Sequence, residues 1–281
     1  KRKGEIIMTG LKIGFIGLGE MGKPMAGRIL DGGHTVISCA NRRRAAIEEL
    51  ATKGLIEVEN PGEVGAQADV VISIVTDDTQ TDAVLRGAEG AMAAMSADDI
   101  LIVMSTHTPG YIRELGKEAA DLGIVLLDCP VSGGAMGAEQ GTLALLTGGS
   151  KDAVEKCRAA LECMGHIIYL GDVGMAQVAK LANNAIAFTH SALIMEMQDF
   201  VKSQGMDAEA FMEVLNTSTG KSFVSENWGV FHQPDIWPHM VDLIVKDLAQ
   251  AVVAADEISA PMPLLRLTEA MDWDTIKREF D

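Results

Sequence analysis

A lysine and an asparagine stand four residues apart in the segment 171–184, GDVGMAQVAKLANN. On a helix, Lys180 and Asn184 project from one face, about a turn apart. A lysine on a largely apolar face is costly to bury unless something uses it. Desolvation also lowers an ammonium pKa toward the range useful for proton transfer. The pair therefore reads as a proton-transfer group beside a polar partner. The plainer alternative is a lysine snorkelling next to a helix-starting loop.

A second group of residues suits phosphate. GLGEMG sets Gly17, Gly19 and Gly22 in GxGxxG spacing between the apolar run LKIGFI (11–16) and the helical pattern KPMAGRILDGG. Gly17 permits the tight turn, Gly19 lets the backbone approach a pyrophosphate, and Gly22 lets helix and strand pack closely. The loop Gly17, Leu18, Gly19, Glu20, Met21 and Gly22 then offers main-chain donors and a helix N-terminus to a dinucleotide. The next strand, HTVISCA, ends at Ala40, where a site for NAD usually carries an acid for the ribose hydroxyls. Asn41, Arg42, Arg43 and Arg44 follow. Absence of the carboxylate removes repulsion toward a 2′-phosphate and guanidinium groups favour it, so NADP is expected in preference to NAD. The alternative, an exposed basic first helical turn, sets positive charge against the helix dipole.

Two further strand ends carry polar residues: Ser105-Thr106-His107-Thr108-Pro109 and Asp128-Cys129-Pro130-Val131-Ser132-Gly133-Gly134. Both read as ordinary caps and turns, or, for Ser132-Gly133-Gly134, as hydroxyl and amide donors to a carboxylate. In VKDLAQA, Lys246 and Asp247 read as an exposed ion pair or as a second cation near the ligand. The histidines show no metal-ligand spacing, so no metal is expected. GKS at 220–222 lacks the earlier glycine and the preceding strand of a phosphate loop.

The elements that must hold these groups alternate through the first half. Strands are expected at 11–16, 34–40, 68–75, 99–106 and 123–130, with helices near 79–95 and 109–121. Repeated βα units imply a doubly wound parallel sheet of the Rossmann kind, with ligand at the carboxyl ends of the strands. After about residue 171 the strand pattern stops. A long helix over 175–204 and further helices over 207–216, 222–231, 240–258 and 263–280 are expected. The predicted architecture is α/β: a dinucleotide-binding domain over 1–170 and an all-α substrate and oligomerisation domain over 171–281, joined by the long helix. Trp228 and Trp237 fit the core of that second domain, the alternative being that they line its substrate pocket.

The 281 residues carry a net charge of −17, which argues against nucleic acid or an anionic membrane as partner. Four scattered cysteines suit a reducing compartment, and a cytoplasmic location is expected. No apolar run is long enough to span a bilayer. KRKGEIIMTG lacks the apolar stretch of a signal peptide, and Met8 reads as a start residue with 1–7 as upstream sequence. The apolar second half predicts a homodimer or homotetramer.

Together the motifs resemble the β-hydroxyacid dehydrogenase family in order: GFIGLGEMGKPMA (14–26), DCPVSGGAMGAEQGTL (128–143), GDVGMAQVAKLANN (171–184) and KDLAQA (246–251). STHTP (105–109) resembles the family's segment beside the nicotinamide. The resemblance covers residues 11–265 and implies interconversion of a small 3-hydroxy acid and its semialdehyde, with hydride moving to or from nicotinamide C4. It implies Lys180 as catalytic lysine and Asn184 as its neighbour at the substrate. Ser132, Gly133 and Gly134 would bind the substrate carboxylate, Thr106 would lie near the nicotinamide, and Lys246 would close the far side of the cleft. Ser222 resembles a position facing the substrate. Ala176 replaces a frequent third glycine, and the C-terminal LRLTEAMDWDTIKREFD lacks the family's usual Gly/Asp-rich close. Another reductase on this scaffold and a non-catalytic dinucleotide-binding oligomerisation module are the competing readings.

Overall fold

Continuous apolar runs, buried on both faces, fix the central sheet of the first half. In the computed structural model, which describes residues 10–41, 44–233, 236–273 and 276, the strands are β1 (Lys12–Ile16), β2 (Thr35–Cys39), β3 (Ile56–Val58), β4 (Val70–Ser73), β5 (Ile100–Val103), β6 (Val125–Asp128), β7 (Val131–Ser132), β8 (Leu143–Gly149) and β9 (Gly165–Tyr169). Their order is β3-β2-β1-β4-β5-β6-β8-β7, with β9 beside β8. β1 to β6 are all parallel, in register such as Phe15 opposite Ile72 and Ile72 opposite Ile102. Neighbouring residues point to opposite faces. Ile13, Phe15, Ile72 and Ile102 meet Met25 and Ile29 of helix Gly22–Asp31 on one side. Ile16, Val71, Leu101 and Val103 meet Ile112, Leu115 and Ala119 of helix Pro109–Asp121 on the other. The first core also encloses the thiols of Cys129 and Cys157.

The five expected parallel strands are present. The sheet departs from an all-parallel arrangement at β8, which runs antiparallel to both β6 and β7. The sequence pattern does not reveal β3, β7, β8 or β9. β3 and β9 are short or half-exposed and lack the continuous apolar run of a buried strand. The helix expected over 79–95 runs only over Asp78–Leu85, and the glycine-bearing segment beyond it forms turns. Several helices start at side-chain caps: Asn60, Asp77, Thr108, Ser150 and Asp207 each accept a main-chain N–H three residues on.

The second half is helical. One continuous helix spans Met175–Ser203, followed by Ala208–Thr217, two four-residue helices (Phe223–Glu226 and Trp228–Phe231) where one was expected over 222–231, then Trp237–Glu257 and Pro263–Glu269. The last ends at Glu269 and 270–272 break it, where one helix was expected over 263–280; residues 274–275 and 277–280 of that expectation lie outside the described residues. Trp237, Val241, Ile244 and Leu248 recur at helical spacing and pack with Leu181, Phe188, Ala192 and Leu265. Trp237 is thus a core residue. The chain divides into two compact units between Lys180 and Leu181, inside the long helix, where sequence pattern puts the boundary at 170/171. Among the described residues, no helix is long and apolar enough to cross a membrane.

Candidate functional site

The glycine loop has the conformation its spacing predicts. Gly17 has a φ of +103°, and a side chain there would collide with the Ile74 carbonyl at the end of β4. A side chain at Gly22 would collide with the Gly17 carbonyl, whereas Gly19 faces open space. Leu18 and Met21 turn their side chains onto the core and Glu20 is exposed, so the loop presents mainly backbone. The helix that follows has no side-chain cap at Met21 and no acid in its first turn. Its uncapped N–H groups and positive end fit an anionic pyrophosphate.

At the end of β2, Ala40 packs on the core and Asn41 is exposed. Arg42 and Arg43 lie outside the described residues. Arg44 is engaged locally, since its guanidinium binds Glu57 of β3 at 2.9 Å and lies 3.7 Å from Glu48. Those carboxylates offset its unfavourable place at the helix start.

The residues of segment 105–108 serve different ends. Ser105 Oγ donates to the Val75 carbonyl and accepts from the Val75 amide, both at 2.8 Å, locking the β4 and β5 loops together. Buried His107 meets Asp78 through Nδ1 at 2.6 Å and Thr81 through Nε2 at 3.3 Å, with Tyr111 stacked on its ring at 4.5 Å. Thr108 caps helix Pro109–Asp121. Thr106 is buried, and among the described residues its hydroxyl stands outside these contacts.

Asp128 ends β6 and fastens the start of the long helix. Its Oδ2 accepts from the amides of Gly174 at 3.0 Å and Gln177 at 3.2 Å, and its Oδ1 from Gln177 Nε2 at 2.9 Å. Burial pushes this carboxyl up to about 6, and the donors from Gln177, Gly174 and Ala176 oppose the rise. Ser132 is half-buried at the end of β7. Gly133 and Gly134 follow with φ of +130° and +63°, and Gly134 opens onto free space. The helix they begin, Gly134–Gln140, has no side-chain cap at Gly133, and the Arg28 guanidinium donates to the Gln140 carbonyl at its far end.

Lys180 is half-buried on the long helix, and Asn184, one turn on, is buried. Asn184 Nδ2 donates to Asp247 Oδ2 at 2.6 Å, and its Oδ1 accepts from Asn183 at 3.2 Å. Lys246 Nζ lies 3.2 Å from Asp247 Oδ1. Lys246 and Asp247 are therefore not an exposed pair, because Asp247 is 1 % exposed. Ser222 caps helix Phe223–Glu226: its Oγ accepts the Ser225 amide at 3.1 Å while Ser225 Oγ accepts the Ser222 amide at 2.9 Å. His232 lies between Trp228 and Trp237 at 3.5 and 4.2 Å. Among the described residues no group of three His, Cys, Asp or Glu could hold a metal ion. Sequence reasoning missed Gln177 and the anchoring roles of Asp128 and Asp247. The polar identity of Gln177 within the apolar stretch MAQVAKLA was the available signal.

The chain matches two family models. The NAD-binding domain of 6-phosphogluconate dehydrogenase matches residues 12–174, and the NAD-binding region of NADP-dependent 3-hydroxyisobutyrate dehydrogenase matches 174–280. L-threonate dehydrogenase of Cupriavidus necator is 35% identical over 257 residues, covering 90% of this chain and 86% of that protein. Mitochondrial 3-hydroxyisobutyrate dehydrogenase of Drosophila melanogaster is 33% identical, covering 90% and 80%. The solved structure of Mycobacterium tuberculosis 3-hydroxyisobutyrate dehydrogenase with L-serine superposes with a TM-score of 0.83 at 26% identity, covering 96% of this chain and 95% of the other.

Proposed function

The chain belongs to the β-hydroxyacid dehydrogenase family and is an NAD(P)-dependent hydroxyacid dehydrogenase; on that premise we propose that it interconverts a small 3-hydroxy acid and its semialdehyde, with Lys180 as general acid–base. The observation that carries this reading is the Lys180–Asn184 pair, a turn apart on a helix whose start is held by the buried Asp128 carboxylate. A dinucleotide bound at the Gly17–Gly22 loop would supply the hydride chemistry, at nicotinamide C4. As the acid is oxidised, the neutral amine of Lys180 takes the hydroxyl proton. In reduction its ammonium polarises the aldehyde oxygen and returns that proton. Asn184 has two amide hydrogens, and Asp247 engages one, which leaves the other for a substrate oxygen. Ser132 and the Gly133 and Gly134 amides bind the carboxylate; the left-handed φ of the two glycines and the open space at Gly134 support that role. Ser222 remains a candidate substrate contact alongside its capping role.

The amides from Gly17 to Gly22 would hold the pyrophosphate, Thr106 would lie near the nicotinamide, and Lys246 would contact the cofactor. NADP is preferred over NAD because Ala40 leaves no acid and Asn41, Arg42 and Arg43 follow it in sequence, side chains that suit a 2′-phosphate rather than a free ribose hydroxyl. Exposed Ile186, Leu193 and Phe200 recur every seven residues on the long helix and support a homodimer or homotetramer, which light scattering would measure. Free cysteines support a cytoplasmic setting.

The test follows nicotinamide absorbance with NADPH and NADH against succinic, tartronic and methylmalonic semialdehydes and glyoxylate, with Lys180→Ala alongside. Turnover favouring NADPH and lost in the variant is the expected result. Turnover retained by Lys180→Ala overturns the acid–base role. Dinucleotide binding without turnover on any aldehyde favours the non-catalytic module.

A further inference from the structure

We infer that Gln177 is a positioning residue that sets the placement of Lys180 against the Thr106 loop. The inference rests on the acid–base reading of Lys180. Gln177 is fully buried, and its side-chain amide makes three hydrogen bonds to two separate strand ends. Nε2 donates to the Ser105 carbonyl at 3.0 Å and to Asp128 Oδ1 at 2.9 Å, while Oε1 accepts the His107 amide at 3.0 Å. Ser105 and His107 flank Thr106, so one side chain grips the main chain on both sides of that residue. Gln177 also lies three residues before Lys180 on the same helix, so a shift of its turn carries Lys180 with it.

The chemistry at this position calls for an amide. Ser105 O and Asp128 Oδ1 are both acceptors and need donors, whereas His107 N–H needs an acceptor. Glutamate would turn an acceptor toward two acceptors, and leucine would leave all three groups unmet. The fold has independent supports here. The His107 ring is held by Asp78 and Thr81, and Asp128 Oδ2 holds the Gly174 and Gln177 main-chain amides whatever side chain stands at 177. Loss of the side-chain amide therefore loosens the relation between loop and helix while the helix start stays capped.

The experiment compares wild type, Gln177→Leu, Gln177→Glu and Lys180→Ala as full chains. It measures kcat and KM with the best aldehyde, the isotope effect on kcat with C4-deuterated reduced cofactor, and dinucleotide affinity by fluorescence. Amide hydrogen exchange across 104–109 is followed in the cofactor-free protein. For Gln177→Leu, kcat is expected to fall roughly 10- to 100-fold, with KM and dinucleotide affinity within about threefold. A larger isotope effect accompanies that fall, because hydride transfer becomes the slow step, and the His107 amide exchanges faster because it has lost its Gln177 acceptor. Wild-type kcat and isotope effect in Gln177→Leu, with Lys180→Ala inactive, overturn the positioning role alone. A lower kcat with an unchanged isotope effect and a matching loss of dinucleotide-binding sites marks a merely structural residue and overturns it too. Full activity in Lys180→Ala overturns the acid–base reading and this inference with it. If Gln177→Leu does not fold, Gln177→Glu, of nearly equal volume, is read by the same criteria.

Discussion

The Asn184 side-chain amide donates to the Asp247 carboxylate at 2.6 Å, across 63 residues of sequence. A buried carboxylate needs donors or counter-charge on its oxygens. Asn184 serves one oxygen and the Lys246 ammonium lies 3.2 Å from the other. The carboxylate in turn fixes the asparagine's orientation. Asn184→Leu leaves one Asp247 oxygen without its donor and is expected to lower stability by about 1–3 kcal/mol in urea unfolding. Asn184→Asp puts two carboxylates together, so it should be destabilising at neutral pH and recover as the pH falls and one of them takes a proton.

The three loop glycines separate folding from binding. Gly17→Ala and Gly22→Ala force a side chain into the Ile74 and Gly17 carbonyls and are expected to unfold or strongly destabilise the sheet unit. Gly19→Ala meets nothing and should melt like wild type, yet lose dinucleotide affinity because the added methyl occupies the phosphate approach. Thermal melts with fluorescence titration of NADPH distinguish the two classes.

Cofactor preference is expected to follow Ala40. Ala40→Asp sets a carboxylate against a 2′-phosphate, and a like-charge penalty of about 1.4 kcal/mol shifts the NADPH/NADH ratio of kcat/KM about tenfold toward NADH. Arg44→Ala should leave that ratio unchanged, because Glu57 and Glu48 already engage this guanidinium.

His232 makes stability depend on pH. Burial between the two indoles pushes its imidazole down to about 4 from an ordinary 6.5, and the hydrogen bond to the Trp228 carbonyl opposes the shift. Between those values the unfolded chain takes up a proton that the folded chain refuses. The His232 contribution is therefore complete above 6.5 and declines as the pH falls toward 4. Melting midpoints across that range should drop less steeply in His232→Phe than in wild type.

Legibility in the sequence followed the range over which each feature is encoded. The glycine loop, the five parallel strands and the Lys180 helix are written in contiguous residues, and each stands as read. The antiparallel β8 was hidden because LALLTGG owes its direction to β6 and β7 rather than to its own pattern. Asp128 read as part of a turn because its partner Gln177 lies 49 residues on. The exposed-pair reading of Lys246–Asp247 stayed open in the sequence because the donor that allows Asp247 to be buried comes from another helix. Of STHTP, only the cap at Thr108 follows from local spacing. The roles of Ser105 and His107 depend on Val75, Asp78 and Thr81, which the sheet brings alongside.

The thiols enclosed in the sheet core have a use of their own. Cys129 and Cys157 are buried, and burial pushes both up to about 12, so neither forms thiolate at neutral pH while the core is closed. Because only thiolate reacts with alkylating agents and peroxide, modification at these positions must come from molecules whose core has already opened. The chain thus carries two built-in clocks for breathing of its sheet, readable by mass spectrometry without any introduced label.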